Sequence, residues 1–390
     1  MTPNGVTGVL SVAPMFSVEA ISVRPLSVPL HDPFVIATGR VTVTRSAEVR
    51  VTLAAGGARA EGLGEGAALW PVTVEDQPDV LAALGAAAER LSGQTIALPR
   101  VDADVGVSLA GLAELGAALD EALSGRPVAR AALETALLDA WARLLGMPLR
   151  RLLGGARGEA TRALLTDITI PIAEPARMAE LAGGWAARGF RHFKVKVGKD
   201  MDQDLAALFA IRNAVPDARF RIDANAGFSA AQAIAMGRAV EARGLVVECW
   251  EQPCAADDLE GMAEVAAALA SPVIADESVK TLADLGRVLV ARAADGVNLK
   301  LVKSGGPLGA LAIGRAAKGA GMPIMIGGMV ETRLGMTAGA HVAAALGGVD
   351  FVDLDTAWLL DGDPYRGGYE ADGPRYELPA EPGLGVTAIV

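Results

Sequence analysis

The chain has 390 residues, 52% of them hydrophobic and only 4% aromatic, with a net charge of −11. At roughly 150 residues per domain, this length predicts about two domains with ample apolar material for their cores. The acidic balance and the lack of any Lys/Arg cluster exclude the basic face a nucleic-acid partner requires. No run of about 18 apolar residues is present, so no membrane-spanning helix is expected.

The opening MTPNGVTGVLSVAPMF has no basic segment ahead of its apolar residues. No signal peptide is therefore expected, and the expected compartment is cytoplasmic. Two cysteines, Cys249 and Cys254, are too few for a structural zinc site or a disulfide framework and read as reduced thiols.

In chain order, Val18–Val28 and Ala47–Leu53 are rich in β-branched residues and predict strands, with Gly56-Gly57 as a turn. Residues 74–123 turn Ala- and Leu-rich and predict helices. Pro127 opens an amphipathic helix with Leu133, Leu137, Trp141 and Leu144 at helical spacing, ended by Gly146 and Pro148.

Beyond residue 160 the texture becomes periodic. Apolar runs fall near Ala163–Ile170, His192–Val197, Phe220–Ile222 and Leu245–Cys249, then Pro272–Ala275, Gly296–Leu301, Pro323–Ile326 and Asp350–Leu354. Their spacing of roughly 25 to 30 residues is one strand, one helix and two loops. Ser229 is placed to cap a helix that Gly244 stops, and Thr281 to Asp284 forms a cap before Leu285–Ala294. The fold class is α/β. Eight units fit a closed parallel barrel, with an open doubly wound sheet as the alternative. Gly62-Leu63-Gly64-Glu65-Gly66 has the wrong spacing for a dinucleotide fingerprint and no helix directly behind it. The stretch from 361 onward, rich in Pro and Gly, reads as a tail lying back on the rest.

Barrel chemistry sits at the C-terminal strand ends. Those ends carry Lys194-Val195-Lys196, Asp223-Ala224-Asn225, Glu251, Asp276-Glu277, Asn298-Leu299-Lys300 and Asp353-Leu354-Asp355. Any one of these is an ordinary surface lysine or helix cap. Charge at this many neighbouring ends, with i and i+2 partners sharing a strand face, predicts a built site. Asp223, Glu251 and Asp276 supply oxygen ligands alone, which favours Mg²⁺ over zinc. Mg²⁺ leaves open positions for a substrate carboxylate and stabilises charge developing there when the neighbouring carbon loses a proton. Lys196 and Lys300 lie four strands apart, placed to work on opposite faces of one carbon, as in a racemase or epimerase.

These motifs, in this order along almost the whole chain, resemble the muconate-lactonizing-enzyme subgroup of the enolase superfamily. The resemblance rests on FKVKVG around Lys194 and Lys196, Asp223-Ala224-Asn225, Glu251-Gln252-Pro253, Asp276-Glu277-Ser278, Asn298-Leu299-Lys300 and Gly327 to Thr332. It implies a (β/α)₇β TIM-like barrel under an α+β N-terminal capping domain completed by the C-terminal tail. The expected divisions are 1–126 for the cap, 127–359 for the barrel and 360–390 for the tail. It further implies Mg²⁺ on Asp223, Glu251 and Asp276, Lys196 and Lys300 as the acid/base pair, and Lys194 as an auxiliary lysine that polarises the substrate carboxylate. A homo-oligomer is implied as well.

Asp353-Leu354-Asp355 is similar to the motif of dipeptide epimerases, where two carboxylates hold the substrate's free α-ammonium. Thr166-Asp167 resembles that branch, and Asn225 is grouped with the substrate-binding positions. The leading expectation is thus epimerisation of a dipeptide, the small-molecule partner, by 1,1-proton transfer at the C-terminal residue through an enediolate. The alternatives are a cycloisomerase, an o-succinylbenzoate synthase or an N-acylamino-acid racemase, and, outside catalysis, a barrel used for binding alone. In the capping loop from Pro33 to Arg40, the alignment places Gly39 where relatives that prefer Ala-Glu carry an arginine, with Arg40 one residue later. Gly39 there favours a small or hydrophobic second residue. Arg40 there would reverse the preference.

Overall fold

The computed structural model describes residues 15–37, 39–102 and 104–389. The first fourteen residues, on which most of the expectation of a leaderless start rests, lie outside them, as does Thr38 of the capping loop.

The β-branched opening runs form an antiparallel sheet in the order β5-β4-β1-β6. Its strands are β1 (Met15–Leu26), β4 (Arg45–Ala55), β5 (Ala58–Ala68) and the edge strand β6 (Thr95–Ala97). Between β1 and β4, the hairpin of β2 (Pro29–Ile36) and β3 (Gly39–Val43) projects from the sheet as a separate ribbon. The stretch expected to be wholly helical gives α1 (Gln77–Leu91) and α2 (Leu109–Leu123). Between them lie β6 and the short pair β7 (Val101–Asp102) and β8 (Gly106–Val107). Asp76 caps α1 reciprocally with Asp79.

Helix α3 (Pro127–Leu144) differs from the amphipathic helix the sequence predicts: every residue from Val128 to Ala142 is buried. It is wedged between the sheet and the barrel. On the sheet side it lies against two glycines of β5. A Cβ on Gly64 would stand 2.0 Å from the Ala132 carbonyl oxygen, and one on Gly62 would stand 2.2 Å from that of Ala136. The buried charges of α3 all have partners, as burial requires. Glu134 accepts from Leu308 N at 2.6 Å, and Asp139 accepts from Leu63 N at 2.9 Å and Leu384 N at 2.6 Å. α3 thus makes contacts in both layers. α4 (Leu149–Ala160) then leads toward the barrel.

Eight parallel strands form the barrel. They are β10 (Ile168–Ile170), β11 (His192–Lys196), β12 (Arg219–Asp223), β13 (Val247–Glu251), β14 (Val273–Ala275), β15 (Gly296–Lys300), β16 (Ile324–Gly327) and β17 (Phe351–Asp353). Contacts between the two edge strands close it, with Asp167 N donating to Val352 O at 3.0 Å. Helices follow the first seven strands: α5 (Pro175–Ala187), α6 (Met201–Ala214), α7 (Ala230–Ala242), α8 (Leu259–Ala268), α9 (Leu282–Ala291), α10 (Pro307–Gly319) and α11 (Arg333–Leu346). The eighth strand leads into a single 3₁₀ turn, Thr356–Leu359. This is the (β/α)₇β arrangement. Ser229 and Thr281 cap α7 and α9 in reciprocal boxes with Gln232 and Asp284, and Gly244 after α7 takes a left-handed φ of 67°.

The run Ala163–Ile170 is not one strand. Its first part, β9 (Ala163–Leu165), pairs antiparallel with β20 (Arg375–Glu377) of the tail, and only Ile168–Ile170 enters the barrel. The tail strands β18 (Tyr365–Gly367) and β21 (Val386–Ala388) pair with each other, and β19 (Glu370–Asp372) pairs with β20. Tyr365 donates its hydroxyl to Glu48 of the N-terminal sheet, and Arg143 of α3 donates to Val386 O at 2.8 Å. The tail therefore binds the cap to the barrel.

Candidate active site

The strand ends meet where the sequence places them. In the barrel register, Lys196 lies opposite Asp223, Asp223 opposite Glu251, and Lys194 opposite Arg221. Lys194, Lys196 and Lys300 line one cavity of about 30 Å³ with Asn225, Asp353 and Asp355. Phe34 and Ile36 of the cap hairpin close its top with Leu69 and Val72. The three lysines are at most 6% exposed, so each depends on its charged partners.

Those partners are the carboxylates. Lys194 Nζ lies 2.7 Å from Glu251 Oε2, 2.7 Å from Asp353 Oδ2 and 3.2 Å from Asp223 Oδ2. Lys196 Nζ reaches Asp223 at 2.5 Å, and Lys300 Nζ reaches Asp276 at 2.7 Å. Burial alone lowers a lysine's pKa. Here the adjacent Asp353 and Glu251 outweigh burial and hold Lys194 well above its ordinary value, and Asp276 does the same for Lys300. Both are held in the ammonium form by these carboxylates.

The carboxylates divide in the opposite sense. Burial pushes Glu251 up to about 7, with the charge of Asp223 adding to it. Burial also opposes ionisation of Asp223, but Lys196 and Lys194 draw it down to about 2. Asp276 is held well below its usual value by Lys300 and Lys303 against the same burial.

The backbone just past each strand end fixes these groups. Asn225 takes a left-handed φ of 43°, a conformation Asn tolerates better than most residues. Its N–H thereby turns back to donate to Asp223 Oδ1 at 2.9 Å. Gln252 accepts from Asp276 N at 2.9 Å and Ser278 N at 3.1 Å, joining the fourth and fifth strand ends. Asn298 donates to Glu251 Oε1 at 2.8 Å, and Lys303 Nζ holds Asp276 Oδ1 at 2.5 Å. Gln252, Asn298 and Lys303 have no role expected from sequence. Their signal is positional: each lies within three residues of a strand-end charge.

On the last strand, Asp353 and Asp355 both face the cavity, as the i, i+2 spacing predicts. With Asp167 they bring carboxylate oxygens within 4.8 Å of one another. Asp167 is neutralised from below by Arg221 at 2.7 Å, and Asp355 accepts from Thr169 N at 2.5 Å. The Oδ1 atoms of Asp167 and Asp355 are buried without a hydrogen-bond partner. Burial and the charge of Asp353 push Asp355 up to about 6.

Two expected substrate contacts fall elsewhere. Thr166 precedes its barrel strand and spends its hydroxyl accepting from Leu354 N at 2.9 Å. The threonine that lines the cavity is Thr169, three residues on. In the capping hairpin, Ile36 pairs with Gly39 and Val35 with Arg40. Paired residues share a face of an antiparallel ribbon. Gly39 therefore sits on the face of Ile36, which lines the cavity, while Arg40 is exposed on the other face. A Cβ on Gly39 would meet nothing within 4 Å.

The matches to known families follow the two halves of the fold. Residues 18–154 match the mandelate racemase / muconate lactonizing enzyme N-terminal domain, and residues 177–388 match the enolase C-terminal domain-like family. The chain belongs to the enolase superfamily, in its mandelate racemase / muconate lactonizing enzyme branch. An L-Ala-D/L-amino acid epimerase of Populus trichocarpa is 38% identical over 91% of this chain and 81% of its own. The L-Ala-D/L-Glu epimerase of Bacillus subtilis is 36% identical over 94% of this chain and 95% of its own. Its substrate-liganded structure superposes with a TM-score of 0.86, covering 95% of this chain and 99% of that one. A dipeptide epimerase of Cytophaga hutchinsonii, complexed with Mg and the dipeptide D-Ala-L-Val, gives a TM-score of 0.85 at 30% identity, covering 96% of each chain. Among the described residues of this chain, no helix is long and apolar enough to cross a membrane.

Proposed function

We propose that this protein epimerises dipeptides at the α-carbon of the C-terminal residue, with Mg²⁺ as its metal. The observation that carries the reading is one cavity with Lys196 and Lys300 on opposing strands and the Asp353/Asp355 pair at its edge.

The donor set fits Mg²⁺. Three buried carboxylates stand on successive strand ends, and the ammonium groups of Lys194 and Lys300 lie between them, where a divalent cation satisfies the same oxygens. Asp223, Glu251 and Asp276 would hold the ion. When bound, it supplies positive charge to the substrate carboxylate and takes from the lysines part of the carboxylate charge that keeps them protonated. The cluster of Asp167, Asp353 and Asp355 lies at the first and last strands, apart from those three strand ends, with Asp167 paired to Arg221 and Asp355 held by the Thr169 N–H. Its unpartnered oxygens suit the substrate's α-ammonium, which brings three N–H donors and a single charge.

The lysines then divide the chemistry. One of Lys196 and Lys300, as the neutral amine, takes the α-proton from one face. The other, as the ammonium, returns a proton to the opposite face, so the pair ends with its protonation states exchanged. Lys194 faces the carboxylate end and balances the negative charge that appears there. Asn225 holds Asp223 in place.

The second residue's side chain meets Phe34, Ile36, Leu69 and Val72, with no cation from the hairpin on that face. A small or hydrophobic residue fits this wall, and an acidic one finds no partner on the hairpin. An N-acylated amino acid keeps the amide carbonyl but has no ammonium. It would leave Asp355 buried and uncompensated, a cost of several kcal/mol.

The test is α-proton exchange in D₂O with Mg²⁺, comparing L-Ala-L-Xaa dipeptides with the N-acetyl-L-Xaa amino acids. Exchange of the free dipeptides at the C-terminal residue supports the reading. Exchange of the acetylated compounds alone would favour the acylamino-acid racemase instead.

A further inference from the structure

A second and larger cavity opens beside the first. It holds about 580 Å³, within the roughly 300–1,000 Å³ of pockets that receive small molecules. The two cavities share Phe34 and Thr169 in their walls. Phe34 belongs to the cap hairpin, and Thr169 donates its N–H to Asp355. The outer cavity therefore begins at the corner where Asp355 stands.

Its wall is aromatic. Trp185 of α5 and Trp358 of the 3₁₀ turn meet edge to face at 6.3 Å and 73°. The Arg188 guanidinium lies 4.4 Å from one ring centre and 4.6 Å from the other. The acidic groups at the rim are already paired: Arg177 reaches Asp32 at 3.3 Å and Glu180 at 2.8 Å. The cavity thus offers ring faces, aliphatic surface and a guanidinium plane, with its two carboxylates confined to the exposed rim beside Arg177.

We infer that this outer cavity receives the side chain of the substrate's first residue and favours a bulky apolar or aromatic one. The inference rests on the dipeptide reading, because an ammonium held at Asp353 and Asp355 is what directs the first residue's Cα toward Thr169 and the space beyond. An alanine methyl leaves that space to water. A phenylalanine side chain displaces the water and lies against Arg188 and the two tryptophans. A lysine side chain brings a second cation beside Arg188, and the rim carboxylates Asp32 and Glu180 already engage Arg177.

The experiment uses three dipeptides with the same C-terminal L-leucine and L-alanine, L-phenylalanine or L-lysine in first place. Each is followed by α-proton exchange with Mg²⁺ in D₂O. The expected result is a kcat/KM at least tenfold higher for the Phe-first than for the Ala-first compound, carried by KM, with the Lys-first compound the poorest. Gly184 of α5 lines the cavity, and a Cβ there meets nothing within 4 Å. Gly184→Phe therefore fills the space without disturbing the helix, and the Phe-first to Ala-first ratio is expected to fall about tenfold. Equal kcat/KM for the two compounds, or an unchanged ratio in Gly184→Phe, overturns the assignment and leaves the epimerase reading standing. Exchange of none of the dipeptides removes both.

Discussion

The backbone N–H of Thr169 donates to the carboxylate of Asp355 at 2.5 Å, so the first barrel strand holds the residue that ends the last-strand motif. This contact helps close the barrel at the point where the substrate's amine is to be read. Burial and the charge of Asp353 hold Asp355 up at about 6. Above that value it is a carboxylate that attracts an ammonium, and below it a neutral acid that does not. KM for dipeptides is therefore expected to rise as pH falls through 6, by roughly tenfold per unit. Asp355→Asn should raise KM about 10- to 100-fold at pH 8, in line with the about 1.5–3 kcal/mol of a charge-assisted hydrogen bond. It should also abolish this acid limb. A limb that survives the substitution assigns it to another group.

Magnesium should act on stability as well as on rate. A ligand that binds only the folded state at a hundred times its Kd stabilises by about 2.7 kcal/mol. Wild-type Tm is expected to rise by several degrees with Mg²⁺, and chelation should reverse the rise and stop α-proton exchange. Glu251→Gln removes the middle of the three carboxylates and should abolish the Mg²⁺-dependent rise. Calorimetric titration with Mg²⁺ checks the same loss without reference to activity.

The packing of α3 on β5 allows a stability prediction. The position of Gly64 has room for hydrogen alone, since a Cβ would stand 2.0 Å from the Ala132 oxygen. Gly64→Ala should cost about 3 kcal/mol or more, at the upper end of overpacking effects. Gly183 lies in α5 with nothing within 4 Å of an added Cβ. Gly183→Ala should be neutral or stabilising by up to about 1 kcal/mol. Urea unfolding of the two variants measures the difference.

How far the site was legible in the sequence follows from which contacts are local. The three carboxylates and three lysines were readable because a parallel barrel gathers its strand ends and a strand alternates its faces. Thr166 is expected at the site by resemblance alone, and Ala163–Ile170 reads in the sequence as one run. The break in it is made by β20, some 210 residues further on, and a pairing of that span leaves no local mark. Gly39 and Arg40 could not be told apart without the register of a hairpin, which a one-residue shift inverts. Helix α3 looked amphipathic because its large residues recur at helical spacing. Its alanines pack as tightly against the glycines of β5, and composition does not distinguish a buried alanine from an exposed one. The outer cavity was invisible, because it is built from the cap hairpin, α5 and the turn after the last strand.

His341 of α11 gives a pH-dependent stability. Burial, aided by the charge of Arg150, lowers it to about 3, and its Nδ1 accepts from Arg150 N at 2.9 Å. Between its ordinary value of 6.5 and that of the folded protein, the unfolded chain binds a proton that the native state does not. The contribution of His341 is therefore fully present above 6.5 and is lost as pH falls, at about 1.4 kcal/mol per unit. His341→Gln should remove that slope from the urea midpoint measured between pH 6.5 and 4.

The central claim is that Lys196 and Lys300 serve opposite faces of one α-carbon. It is tested most directly by α-proton exchange in the single variants Lys196→Ala and Lys300→Ala, each given the L,L and the L,D form of one dipeptide in D₂O with Mg²⁺. Losing either lysine should slow epimerisation by about 10² to 10⁴-fold. Each variant should still exchange the α-proton of one epimer, and the two variants should retain opposite epimers. Exchange of the same epimer in both, or undiminished epimerisation in either, would contradict the two-base account.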